Sequence, residues 1–149
     1  MQTQSSIKLG YHIRPANETD TNRIYSDWLR SYRQNSTTLK DLSEKIFFNE
    51  HRKVITDIIK RGKVLVLADK LDDYVVAGFI CFEPQILHYI YIIKDFRKLG
   101  LATELMEAAN FKRGQELLIS HCVYSYAPVH FFKNYLAVFN PYKAYRNEI

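Results

Sequence analysis

The sequence has two cysteines, Cys81 and Cys122, in 149 residues. Their spacing is long and no Cys/His cluster surrounds either, which sets aside a disulfide framework and a metal pair. Both lie in apolar, strand-like segments and read as buried free thiols of a reducing compartment. Long hydrophobic runs are also missing. The longest, Val75 to Phe82, is far too short to span a bilayer, and Met1 to Gly10 is polar, with no apolar signal core. No run of five or more basic residues occurs, although the net charge is +5. That charge suits an anionic partner, but the scattered Lys and Arg do not indicate a nucleic-acid patch. No internal repeat or low-complexity segment divides the chain. The expectation is a cytoplasmic protein with no membrane partner.

What is present can fill a core. Hydrophobic residues make up 47% and aromatics 14%, enough for one domain over 1–149. The Val, Ile and aromatic content favours substantial sheet. Tyr11 to Arg14 reads as a first strand ended by Pro15. Asp20-Thr21 caps a helix through about Tyr32, with Ile24, Trp28 and Leu29 on one face. Helical spacing resumes over Leu42 to Arg61 and stops at Gly62. Strands follow over Lys63 to Asp69, Val75 to Glu83 and Gln85 to Ile93. A helix over Thr103 to Arg113, a strand over Glu116 to Val123 and a short helix over Pro128 to Leu136 come next. A last strand, Ala137 to Tyr145, is broken at Pro141. Hairpins combined with a crossover helix predict an α/β (α+β) domain with a mixed sheet.

The stretch Leu87 to Ala102 carries the most chemistry. An apolar strand runs into a short basic loop, then Gly-x-Ala, then a helix. The first helical turn has backbone N–H groups with no intrahelical partner, and these suit an anion. Gly100 lets the backbone approach a ligand closely, Ala102 keeps the turn slim, and Arg97 and Lys98 add positive charge. Gly-Lys-Ser/Thr is missing, so this is not a Walker loop. A single glycine stands where the dinucleotide fingerprint wants three.

The pattern Arg97-x-x-Gly100-x-Ala102 after a strand resembles the pyrophosphate loop of the GCN5-related N-acetyltransferases (GNATs), and the element order fits that architecture nearly end to end. The resemblance implies acetyl-coenzyme A as cosubstrate. Its pyrophosphate would lie on Arg97, Lys98, Leu99, Gly100, Leu101, Ala102 and Thr103, and its pantetheine arm along Ile90, Tyr91 and Ile92. It also implies a mixed sheet of about six to seven strands flanked by about four helices, with strands 4 and 5 splayed apart.

An amine acceptor must lose a proton, at a cost of about 4–5 kcal/mol for a lysine-like pKa at pH 7, so a base is needed nearby. Many members of the family use a glutamate on the fourth strand; Gln85 to Ile93 contains no carboxylate but does contain His88. The segment Leu87-His88-x-x-x-x-x-Asp95-Phe96-Arg97-x-x-Gly100 resembles one in the arylalkylamine N-acetyltransferases, where the histidine belongs to the proton-removal route. His88 is therefore the base candidate, with a pKa suited to neutral pH; Glu83 is the alternative. Strict alternation would group His88 with Ile86, Ile90 and Ile92, and put Leu87, Tyr89, Tyr91 and Ile93 on the other face.

The family's acid tyrosine has no counterpart, because Phe132 stands at that place. Tyr124, Tyr126, Tyr135 or solvent remain as proton donors to the thiolate. His121 and His130 are candidates to line a substrate cleft, Trp28 and Tyr32 to border the acceptor site, and Ser125 stands where the family often carries an asparagine on the cofactor. The segments Asp27 to Arg33, Leu87 to Tyr91 and Phe139 to Tyr142 also resemble small acetyltransferase-like proteins of tailed bacteriophages. The resulting expectation is acetyl transfer to a primary amine of a small molecule or protein. The alternative is a non-catalytic module of the same fold that binds an acyl-coenzyme A or a protein.

Overall fold

The computed structural model describes residues 10–36, 38–97, 99–121 and 134–145. Six strands form one sheet in chain order: β1 (Tyr11–Pro15), β2 (Lys63–Asp69), β3 (Val76–Glu83), β4 (Ile86–Ile92), β5 (Leu117–Ile119) and β6 (Ala137–Phe139). The first four pair antiparallel. The β4–β5 and β5–β6 pairs are parallel. The sheet is therefore mixed and carries six strands.

Three α-helices occur among the described residues: α1 (Thr21–Gln34), α2 (Glu44–Arg61) and α3 (Leu101–Ala108). They cover both faces of the sheet. Phe79 and Phe82 of β3, three residues apart, point to opposite sides. Phe79 meets Trp28 of α1, and Phe82 meets Phe111, just beyond α3. Covered on both sides, β3 is buried from Val76 through Phe82, which accounts for its unbroken apolar run. Trp28, fully buried, stacks on Tyr89 of β4 at 4.9 Å and anchors α1 to the sheet.

Several boundaries differ from the sequence expectation, each for a local reason. Asp20 makes no side-chain cap on α1. Its carboxylate instead accepts from Asn17 N–H, closing a capping box on a 3-10 turn at Glu18–Asp20, and takes two hydrogen bonds from Arg14 at 2.7 and 3.1 Å. Helix α3 begins two residues earlier than expected and ends at Ala108. Asn110 there takes φ +66°, with Asn110 N–H donating to Glu107 O and Phe111 N–H to Met106 O. That is a Schellman closure, with asparagine in place of the usual glycine. The expected strand from Glu116 is confined to Leu117–Ile119 among the described residues. The expected last strand ends at Phe139, where Asn140 caps a 3-10 turn over Pro141–Ala144. Of the expected helix over Pro128 to Leu136, residues 134–136 form a turn; the rest lies outside the described residues.

Helix α2 ends against β3. A Cβ on Gly62 would stand 2.8 Å from Phe82 O, so only glycine lets the helix end sit that close. This contact brings Arg61 beside Glu83 at the end of β3.

Candidate active site

Strand β4 carries a bulge at His88. Cross-strand pairs run Cys81↔Tyr89 and Phe82↔Leu87, leaving His88 opposite no residue. Paired residues share a face, so Tyr89 joins Cys81, Ile86 joins Glu83, and Leu87 joins Phe82. His88 and Tyr89 consequently point to the same side, that of α1 and α2, and Ile90 and Ile92 move to the other. This corrects the alternation read from the sequence, and it is what a bulge does: it re-aims one side chain. The parallel pairing of β5 with β4 covers only Ile86↔Leu118 and Leu87↔Ile119. Beyond it the chain bends at Ser120 and His121, and His88 and Ser120 meet at the end of the described pairing.

A continuous line of hydrogen bonds starts there. His88 Nε2 lies 2.6 Å from Glu83 Oε2, and His88 Nδ1 lies 2.7 Å from Ser120 Oγ. The same Ser120 Oγ is 2.9 Å from His121 Nδ1. His121 Nε2 is 2.8 Å from His51 Nε2, on α2. At the other end Arg61 donates from Nε to Glu83 at 3.2 Å, pairs with Asp57, and donates to Lys143 O at 3.0 Å. His88, Ser120 and His121 are buried, whereas Glu83 and His51 are partly exposed. The line therefore crosses the interior from one half-open end to the other.

Aromatic rings enclose the His51 end. Tyr32 and Phe47 lie 5.3 and 5.1 Å from the His51 ring, and Trp28 and Tyr32 lie 5.2 and 4.8 Å from His121. In this setting imidazolium is disfavoured. Burial holds His51 down to about 4. His121 is pushed well below its ordinary value by burial and then by His51 and His88. Burial also lowers His88, against an opposing pull from Glu83.

The anion loop lies further along β4. A 3-10 turn at Lys94–Phe96 follows the strand. Arg97 folds back, donating from Nε to Ile92 O at 2.7 Å, with its guanidinium 5.5 Å from the Tyr91 ring. Gly100 takes φ +81°, the left-handed region, and opens α3. The N–H groups of Leu101, Ala102 and Thr103 form the first turn, where no helical carbonyl precedes them. On the neighbouring strand, a Cβ on Gly78 would lie 2.5 Å from Tyr91 O, so β3 and β4 are held close at the root of the loop.

The structure thus joins His88 and Glu83, which the sequence offered as alternatives, into one pair. It brings His121, Trp28 and Tyr32 to the same cluster. Tyr135 is a core residue, 1% exposed, and Cys81 is buried with its thiol pushed up by that burial. Lys98, Cys122, Tyr124, Ser125, Tyr126, His130 and Phe132 lie outside the described residues. Sequence reading missed His51 and Ser120. Each is an ordinary residue by local pattern, and only tertiary contact joins them to His88. No group of three or more His, Cys, Asp or Glu among the described residues is placed to hold a metal, and none of their helices is long and apolar enough to cross a membrane.

No protein-family model matches the sequence, and no curated protein matches it. Solved structures do match. A candidate acetyl transferase from Pyrococcus furiosus superposes with a TM-score of 0.56 at 14% identity, covering 93% of this chain and 95% of that one. A GCN5-related N-acetyltransferase from Rhodopseudomonas palustris gives 0.48 at 17% identity, over 66% of this chain and 62% of that one. Apo YjaB from Escherichia coli gives 0.48 at 20% identity, over 66% and 63%. The chain therefore spans under two thirds of the length of the last two. The fold is that of the GNATs.

Proposed function

We propose that this chain is an acetyltransferase that moves an acetyl group from acetyl-coenzyme A directly to a primary amine. One observation carries the reading: in a GNAT fold, β4 runs through a histidine-bearing bulge into a basic loop whose left-handed Gly100 opens α3. The first-turn N–H groups and the helix dipole suit a pyrophosphate, and Gly100 keeps side-chain bulk away from it. Arg97, tied to Ile92 O, fixes the loop against the strand while contributing charge. Residues 97–103 hold the pyrophosphate, and Ile90, Tyr91 and Ile92 run beside the pantetheine arm.

Acetyl-coenzyme A supplies an activated acyl group, with a thiolate as leaving group. The protein contributes proton removal from the acceptor, through His88. With both ring nitrogens engaged and no exposed surface, His88 acts through its partners rather than by touching the amine. The test is coenzyme A release from acetyl-coenzyme A in the presence of simple amines, polyamines, lysine peptides and nucleosides. Amine-dependent release above hydrolysis is expected for at least one class; its absence across the panel sinks the reading.

A further inference from the structure

We propose that His51, His121, Ser120, His88 and Glu83 form a directed proton relay, in which His51 takes the proton of the acceptor amine and Glu83 stores a proton at the far end. The proposal rests on the acetyl-transfer reading above and deepens it. It moves the group that meets the acceptor from β4 to α2, a helix that carries no part of the anion loop.

Donor and acceptor counting gives the direction. A carboxylate only accepts, so the bond at 2.6 Å is donated by His88 Nε2 to Glu83. Neutral His88 then has a bare Nδ1, and Ser120 Oγ donates to it at 2.7 Å. Having given its only proton, Ser120 Oγ accepts from His121 Nδ1 at 2.9 Å. His121 Nε2 is then bare and accepts from His51 Nε2 at 2.8 Å. Every bond points toward Glu83, and the one nitrogen left as acceptor at the open end is His51 Nδ1. The tautomers of three histidines follow from a single charged carboxylate, which Arg61 holds in place.

The transfer balances. An ammonium proton passes to His51 Nδ1, and the His51 Nε2 proton passes to His121 Nε2. The His121 Nδ1 proton moves to Ser120 Oγ, whose own proton moves to His88 Nδ1. The His88 Nε2 proton ends on Glu83. The substrate nitrogen gains a lone pair, Glu83 becomes a neutral acid, and all three rings stay neutral in the opposite tautomer. That matters because burial disfavours a cation on each ring. An isolated imidazole here would be a poor base, whereas a shift of tautomers creates no buried positive charge. The amine then attacks the thioester carbonyl, the N–C bond forms and the C–S bond breaks; the second nitrogen proton, lost as the amide forms, passes to the departing thiolate, so coenzyme A leaves as the thiol. Once product has gone, the hops run backwards and His51 returns the proton to water. Among the described residues, the ionisable groups around the line include Asp57 and Arg61 on α2, Cys81 on β3, Tyr32 on α1 and Tyr89 on β4.

Two experiments on the full chain test the relay. Ring-nitrogen NMR of histidine-labelled protein at pH 7.5 needs no ligand. It is expected to find the proton on Nε2 of His51 and His88 and on Nδ1 of His121. A proton on His121 Nε2, or on His88 Nδ1, overturns the relay. Kinetics then use whichever amine the release panel identifies. Ser120→Ala cuts the line and is expected to lower turnover about 10²-fold or more and to remove the acid limb of the pH–rate profile. Acetyl-coenzyme A affinity by calorimetry should be unchanged. Ser120→Thr keeps the hydroxyl and should restore most of the rate, and His51→Gln should behave like Ser120→Ala. Wild-type turnover and pH profile in Ser120→Ala would overturn the relay while leaving acetyl transfer standing. No amine-dependent release by the wild type would overturn both.

Discussion

Glu83 accepts a hydrogen bond from His88 at 2.6 Å across the turn between β3 and β4, although the two lie only five residues apart in the chain. The tight turn folds the end of one strand onto the bulge of the next. Pro84 and Gln85 make that turn, and Gln85 takes φ +64° to do so. A non-glycine residue in the left-handed region is strained by about 1–2 kcal/mol, so the pair is held together by a turn that works against its own sequence.

Replacing Gln85 with glycine should relieve this strain. The turn has proline first and a positive φ second, the arrangement that favours glycine at the second position. After the entropy glycine loses on folding, the expected gain is about 0.5–1 kcal/mol, or about 1–4 °C in Tm for a domain of this size. Thermal unfolding measures it, and a Tm that stays put or falls would show that the Gln85 side chain contributes more than its backbone costs.

The turn also shows how far the sequence could be read. Strand β2 and the end of α2 were legible to the residue, because Gly62, alternation and apolar spacing are local signals. That a helix would open after Gly100 was legible, because the Gly-x-Ala pattern follows directly on the strand and its turn. The bulge was not, since one unpaired residue leaves no mark on composition and flips the faces of all that follows. Nor was the line from His88 to His51. Those residues are separated by 32 and 70 positions at two of its links, and nothing local distinguishes His51 from a surface histidine.

The anion site makes a sharp prediction at Gly100. Gly100→Ala keeps the charge but adds a methyl group and left-handed strain, so it should lower stability by about 1–2 kcal/mol and weaken acetyl-coenzyme A binding moderately. Gly100→Asp adds a negative charge where the phosphates would lie and should weaken binding at least about tenfold beyond the alanine variant. Calorimetry with acetyl-coenzyme A separates the two. Equal affinities for both variants would remove the pyrophosphate from residues 97–103.

Acid should destabilise the fold through its histidines. His51 is held near 4 by burial against an unfolded value near 6.5, and His88 and His121 are lowered in the same direction. The unfolded chain therefore binds more protons in this window, and stability rises with pH. The contribution is fully present above pH 6.5 and is lost as pH falls toward the folded values. From His51 alone the loss between pH 7.5 and pH 5 should be about 1–2 kcal/mol. Urea unfolding at the two pH values measures it, and His51→Gln should flatten the dependence. A pH-independent midpoint would mean that the imidazoles are as hydrated folded as unfolded.

His88 and Glu83 should also fail together. Each is expected to be needed for proton removal, and each acts through the other across the 2.6 Å bond. His88→Gln should lower turnover at neutral pH by about 10²–10⁴-fold, the scale of a lost general base. Glu83→Gln should lower it comparably, because an amide cannot store the proton. If the two belong to one device, the double variant should be no slower than the worse single variant, since the second substitution removes a path already cut. Acetyl-coenzyme A affinity should be unchanged in all three, which separates loss of proton transfer from loss of the cosubstrate site. Losses that multiply in the double variant would mean that the residues act independently. Full activity in His88→Gln, with the acid limb of its pH–rate profile intact, would make His88 a packing residue at a bulge and send the search for the base back to Glu83 alone.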